Sequence, residues 1–173
     1  MSVDLLRVAL PVEADPVLAE AARRPFLRDA ALEALAHGRE HLQGAGKALG
    51  RWFRQARRLG SRDRPIVSEA VYGMIRHEHL LIRAGARGPD ELHEKWCRMM
   101  EGDRFESIES TSPAEDLATA LSLPYLLTLE WLEALGEVEV AELAQSLGQR
   151  APMTIRANAL QLSREELAQQ LAE

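Results

Sequence analysis

The sequence predicts a mainly α fold, a helical bundle followed by the short βα start of an α+β subdomain. Three observations carry this. Apolar residues from about Pro25 to Gly85 recur at three and four residues, the period of a helix with one buried face. Short turns marked by Gly44, Gly60 and Gly85 separate these stretches, as in antiparallel bundles. The tail then changes character: Pro152, Thr154 and Ile155 favour an extended chain, and Ser163 followed by Glu166 is a capping box opening a helix.

Taken in order, the first helix carries Leu27, Ala30, Ala31, Ala34 and Leu35 and ends near Gly44. The second carries Ala45, Ala48, Leu49, Trp52, Phe53, Ala56 and Leu59, with Gly60 as its stop. Ser61 is the expected N-cap of the third, whose stripe is Val67, Ala70, Val71, Met74 and Ile75. Gly73 inside that stripe costs about 1 kcal/mol against alanine, so it is read as the place where a neighbouring helix comes close. Asp90 is expected to cap a helix through Leu92, Trp96 and Met99, and Gly102 to Pro113 reads as a polar loop. Three more helices follow: one around Asp116 to Leu121, one opened by Ser122 and Pro124 with Leu126, Leu127, Trp131 and Leu135, and one from Glu137 to Leu147. A βα pair cannot bury its own apolar face, so the tail reads as a unit that begins and is cut off at Glu173. The domain reading is therefore an N-terminal extension over 1–24, a helical domain over 25–147 and a truncated α+β start over 148–173.

Composition narrows the class. The 173 residues are 46% apolar and 28% charged, which is globular, and no run approaches the ~20 apolar residues of a membrane span. No secretory signal is visible at Met1 to Asp4, so a cytoplasmic location is expected. The single cysteine, Cys97, excludes an internal disulfide and reads as a small buried apolar side chain among Trp96, Met99 and Met100. The net charge of −6 is unevenly spread. Between 47 and 64, seven bases face only Asp63, a local +6 that leaves −12 on everything else. Residues 101–142 hold eleven acids and only Arg104 as a base, so that half is not expected to touch a phosphate backbone.

The candidate site lies in the basic segment. Lys47, Arg51, Arg54 and Arg58 stand at i, i+4, i+7 and i+11, one stripe beside the Trp52/Phe53 face. Guanidiniums spaced about 5–6 Å apart can engage successive phosphates and release counterions. Arg62 and Arg64 extend this surface, and Arg76 and Arg156 are further candidates for RNA contact. The alternative is a solvated face whose arginines pair with acids of the C-terminal half. The histidines His37/His41, His77/His79 and His93 show no zincin glutamate, so no metal site is expected; His77 and His79 are read as adding to the positive face and the others as exposed. No catalytic triad, phosphate-cradling glycine loop or carboxylate pair is present, and no catalytic residue is assigned.

Two stretches carry a family resemblance. Leu59-Gly-Ser-Arg-Asp-Arg-Pro-Ile-Val-Ser-Glu-Ala-Val-Tyr-Gly-Met-Ile-Arg-His resembles the signature helix of the NusB-like domain at the front of the RsmB/NOP2/Sun family of ribosomal RNA cytosine-C5 methyltransferases. Ser122-Leu-Pro-Tyr-Leu, Trp131, Leu135-Gly136 and Ala151-Pro-Met-Thr-Ile-Arg-Ala-Asn-Ala-Leu-Gln are similar to the segment by which those enzymes enter their small RNA-recognition-like subdomain. Together the matches cover roughly residues 26–173. Gly148, Ala159 and Gln161 depart from the asparagine, threonine and lysine usual there, while Arg156 and Asn158 remain.

The resemblance implies an RNA-binding N-terminal portion that orients 16S-type ribosomal RNA for S-adenosylmethionine-dependent methylation. It places the two family cysteines and the cofactor fold beyond Glu173, since Cys97 matches neither cysteine, so this segment is expected to hold no cofactor and no metal. Its implied partners are the RNA and the methyltransferase domain, with no membrane. A stand-alone NusB-like module in antitermination or ribosome assembly, binding RNA with a protein partner, is the alternative. A purely structural interaction domain is the third reading.

Overall fold

Asp15 opens the first helix: its Oδ1 accepts from the Leu18 amide at 2.9 Å, and Pro16 follows at the first helical position. This helix, α1 (Pro16–Ala22), lies inside the stretch read as an N-terminal extension, yet Ala19 and Ala22 are buried in the main core. The computed structural model describes residues 14–41, 45–103, 105, 112–148 and 155–172. Most of the expected polar loop therefore lies outside the described residues. Five helices follow α1 into the same core: α2 (Pro25–Arg39), α3 (Ala45–Gln55), α4 (Asp63–Arg76), α5 (Glu78–Arg83) and α6 (Pro89–Met100).

The apolar stripes meet as the periodicity requires. Leu27, Ala30, Ala31, Ala34 and Leu35 of α2 are all buried, as are Ala48, Leu49 and Trp52 of α3 and Val67, Ala70, Val71 and Met74 of α4. Small residues set the closest approaches. A Cβ on Gly38 would stand 3.3 Å from the Leu49 side chain, so α2 and α3 touch there. At Gly73 the approach is closer still, because the Trp96 indole of α6 occupies the space a side chain would need. Interiors are packed to near-crystalline density, so such contacts fix helix spacing.

A second, smaller cluster forms from α7 (Pro113–Ala120), α8 (Tyr125–Leu135) and α9 (Glu137–Gly148). Leu117, Val140 and Ala141 are its buried centre, with Leu121, Trp131 and Leu132 packed around them. The helical domain expected over 25–147 thus holds two cores. Ser122 joins them. It is the one described non-glycine residue with positive φ, at 51°, and its amide and that of Leu123 donate to Thr119 and Ala118 carbonyls at 3.1 and 2.8 Å. That is the closure used at Gly85 and Gly102 after α5 and α6. Ser122 therefore ends α7 instead of opening α8, whose cap is Pro124. Its Oγ accepts from the Leu80 amide at 3.3 Å, satisfying an orphan donor of the first turn of α5. Arg83 and Glu115, 3.5 Å apart, make a second link.

Other boundaries move by a residue or two. Asp90 lies in the first turn of α6 and pairs with Arg28, while Gly88 holds the cap position. Arg62 replaces Ser61 at the cap of α4, and Asp63 Oδ2 accepts from the Gly60 amide at 3.1 Å.

The expected βα start is only half present. The capping box is formed: the Glu166 amide donates to Ser163 Oγ at 3.2 Å, and the Ser163 amide donates to Glu166 Oε2 at 2.7 Å. These bonds, the backbone one first, hold the Glu166 carboxyl below the usual carboxylate range. They open α10 (Arg164–Ala172), which buries no side chain. No strand is present among the described residues. Residues 149–154 lie outside the described residues, and Ile155 to Asn158 have no regular structure. A strand exists only by pairing, and no described segment is a strand that could pair with it. Among the described residues no helix is long and apolar enough to cross a membrane.

Candidate nucleic-acid interface

The wheel of α3 sorts its residues cleanly. Leu49 and Ala48 are fully buried and Trp52 nearly so, while Lys47, Arg51 and Arg54 are exposed on the remaining face. The helix is anchored from behind by Glu33 of α2, whose Oε1 accepts from the Trp52 indole N–H at 3.3 Å. Phe53 meets Trp52 edge to face, with centroids 5.1 Å apart.

The stripe is shorter than the sequence predicts. The last helical residue of α3 is Gln55, so Arg57 and Arg58 lie in the turn that follows. Arg64 explains the early stop. Its Nη1 donates to the Phe53 carbonyl at 2.6 Å, its Nη2 to Ala56 at 3.3 Å and its Nε to Leu59 at 3.2 Å. One guanidinium thus serves carbonyls at the end of α3 and in the turn after it, Ala56 also accepting from the Leu59 amide at 3.1 Å, and its charge opposes the negative pole of that helix. Arg64 is half-buried and three of its five N–H groups are engaged by backbone carbonyls, which sets it apart from the exposed cations of the segment.

Arg58 is also withdrawn from the expected row. Its Nη2 donates to Glu33 Oε2, and its guanidinium carbon lies 6.0 Å from the centre of the Phe26 ring. The expected alternative, pairing with acids of the C-terminal half, is not what is seen: Glu33 belongs to α2. Lys47, Arg51, Arg54, Arg57 and Arg62 are all exposed, and none has an ion-pair partner among the described residues. Arg57 was not singled out by the helix wheel, because the wheel assumed a helix that continues past it. By contrast Arg23, Arg28, Arg39, Arg58, Arg83 and Arg98 each meet a carboxylate. Arg23 bridges Glu94 and Glu101, and its bond holds the Glu101 carboxyl below the ordinary range.

The remaining candidates lie apart. Arg62 and Arg76 flank opposite ends of the 14-residue helix α4, about 20 Å apart at 1.5 Å per residue. Arg76 is half-buried. Arg156 is exposed in the irregular stretch before α10, outside both apolar clusters.

Two histidines differ from expectation. His77 is buried between α4 and α5, and burial, then the neighbouring Arg76, lowers its pKa to about 4. It is a neutral core residue and adds nothing to the positive face; His79 stays exposed. His93 is likewise buried, not exposed: burial and then Arg28 depress its pKa. Its Nδ1 lies 3.8 Å from Cys97 Sγ. Cys97 is the buried apolar residue the sequence predicts, and burial pushes its thiol up to about 12, far from the thiolate a nucleophile needs. Compared with known proteins, the chain matches no family model, and no curated protein or solved structure is significantly similar to it.

Proposed function

We propose that the surface formed by Lys47, Arg51, Arg54, Arg57 and Arg62 binds RNA. The observation that supports this is clustering: Arg24, Arg87, Arg156 and Arg164 are also exposed without a carboxylate partner, but they are scattered along the chain, whereas these five cations fall within sixteen residues and stand exposed with no ion-pair partner among the described residues. Leaving neighbouring cations unpaired on one helix face is costly by mutual repulsion, and a polyanion relieves it through counterion release. The acidic second cluster keeps the phosphate backbone on this side of the molecule.

The test is anisotropy of a structured ribosomal RNA fragment titrated at two salt concentrations. Five phosphate contacts give a slope of log affinity on log salt of roughly −4.5 for duplex contacts and roughly −3.5 for single-stranded ones. The double reversal R51E/R54E should abolish binding at moderate salt, and R58A should change affinity less than R54A because Arg58 is held by Glu33. Unchanged affinity in the double reversal sinks the proposal.

The family resemblance supports a narrower reading, in which this region orients 16S-type ribosomal RNA for methyl transfer from S-adenosylmethionine to cytosine. The residues present do not fit the chemistry itself. Among the described residues there is no strand to carry a dinucleotide-type cofactor loop, and the Cys97 thiol is buried and protonated. No step of the transfer is assigned to this chain. The stand-alone reading, with a protein partner beside the RNA, draws on a different surface: Tyr125, Leu126, Leu135 and Val138 of the second cluster are exposed apolar residues amid acids. Co-purification of a ribosomal protein that is lost on L126E substitution would favour it.

A further inference from the structure

The last turn of α2 gathers three side chains with metal-binding chemistry. His37-Gly-Arg-Glu-His41 places two histidines at i, i+4 and a glutamate between them at i+3, positions that share one helix face. One ligand atom from each of His37, Glu40 and His41 lies within 4.8 Å of the other two. The imidazole centroids are 5.0 Å apart.

Three further observations separate this cluster from a chance gathering of polar groups. His41 Nδ1 stands 3.1 Å from the His37 carbonyl oxygen. A carbonyl only accepts, so the neutral ring carries its proton on Nδ1 and presents the Nε2 lone pair outward, the tautomer in which histidines ligate metals through Nε2. Glu40 has no ion-pair partner among the described residues, because the adjacent Arg39 is taken by Glu78 on another helix. Finally, the three residues sit at the C-terminal end of α2, with Glu40 as its cap, where the helix dipole favours a cation.

We propose that His37, Glu40 and His41 bind one divalent transition-metal ion of the zinc class. Two imidazole nitrogens and one carboxylate oxygen suit Zn²⁺, and by the same donor logic Ni²⁺ and Cu²⁺, over Ca²⁺ or Mg²⁺. Water completes the coordination. The order His-x-x-Glu-His inverts that of zincin helices, which is why a search for the zincin order passes over it. The proposal is for binding alone: the ion ties together the final turn of α2, ahead of the helix that carries the basic face.

The test is calorimetric titration of the untagged full chain with ZnCl₂ near neutral pH, with visible absorption of the Co²⁺ form as a second readout. The expected result is one ion per chain with a dissociation constant on the order of micromolar. H37A and H41A should each weaken binding at least about tenfold, and E40Q by a smaller factor. Zinc should also raise the unfolding temperature of the native chain and leave that of the H37A/H41A double variant unchanged. His41 and Glu40 are exposed, so H41A and E40Q test the site without disturbing the core. Absence of stoichiometric binding, or zinc affinity unchanged in the double variant, overturns the proposal.

Discussion

Trp96 packs its indole onto the bare Cα of Gly73, so that a Cβ there would collide with Nε1 and stand 2.8 Å from Cε2. No side chain fits in that space without moving α4 away from α6. Gly73→Ala should therefore destabilise the fold by roughly 1–3 kcal/mol, outweighing the ~1 kcal/mol that alanine gains in helix propensity. Urea unfolding followed by tryptophan fluorescence measures it. Adding Trp96→Leu should cost less in the alanine background than in the native one, because the two residues share one space. A G73A protein as stable as the native chain would show that the helices do not meet there.

Arg62 and Arg64 lie two residues apart and should respond in opposite ways. Arg64→Ala strips donors from the carbonyls of Phe53, Ala56 and Leu59 and should cost about 1–3 kcal/mol. Arg62→Ala, at an exposed position, should stay within about 0.5 kcal/mol. RNA affinity should fall in the Arg62 variant. Paired measurements of unfolding and RNA binding on both variants decide whether the two roles are assigned correctly.

Ser122 combines a positive φ of 51° with the bond to the Leu80 amide. Ser122→Ala keeps the strained backbone and loses the bond, whereas Ser122→Gly loses the bond but relieves the strain. The glycine variant should be more stable than the alanine variant by about 1 kcal/mol. Equal stability, or the reverse order, would mean that the backbone angle carries no cost.

His77 makes the fold sensitive to acid. In the unfolded chain it takes up a proton near pH 6.5, while in the fold it stays neutral down to about 4. The unfolded state binds more protons within that window, so stability is fully present above pH 6.5 and declines as pH falls toward 4, by up to roughly 3 kcal/mol. Buried His93 acts in the same direction. His77→Gln should flatten this part of a stability profile measured by urea unfolding at successive pH values; an unchanged slope would mean that His77 is solvated.

Much of the bundle was legible because helical periodicity is local. The stripes of α2, α3 and α4 face the core as spaced, Gly73 serves the close approach its cost implied, and the Ser163/Glu166 box is made. α1 was missed because seven residues hold too little of a period, although Asp15 followed by Pro16 marks its start. The end of α3 was placed too late because the residue that stops it, Arg64, belongs to the next helix.

By itself the sequence determined the helical class, most apolar faces and the segregation of charge. Each follows from residue types at fixed spacing along one chain segment. Which cations stay unpaired, which histidines are buried and neutral, and which positions of the basic row remain available were decided only by tertiary structure. The physical reason is that pairing and desolvation depend on groups far away in the chain: Glu33 draws off Arg58, and Glu94 and Glu101 take Arg23 across 71 and 78 residues. The same holds for the irregular backbone from Ile155 to Asn158, since extended propensity becomes a strand only where a partner segment lies alongside.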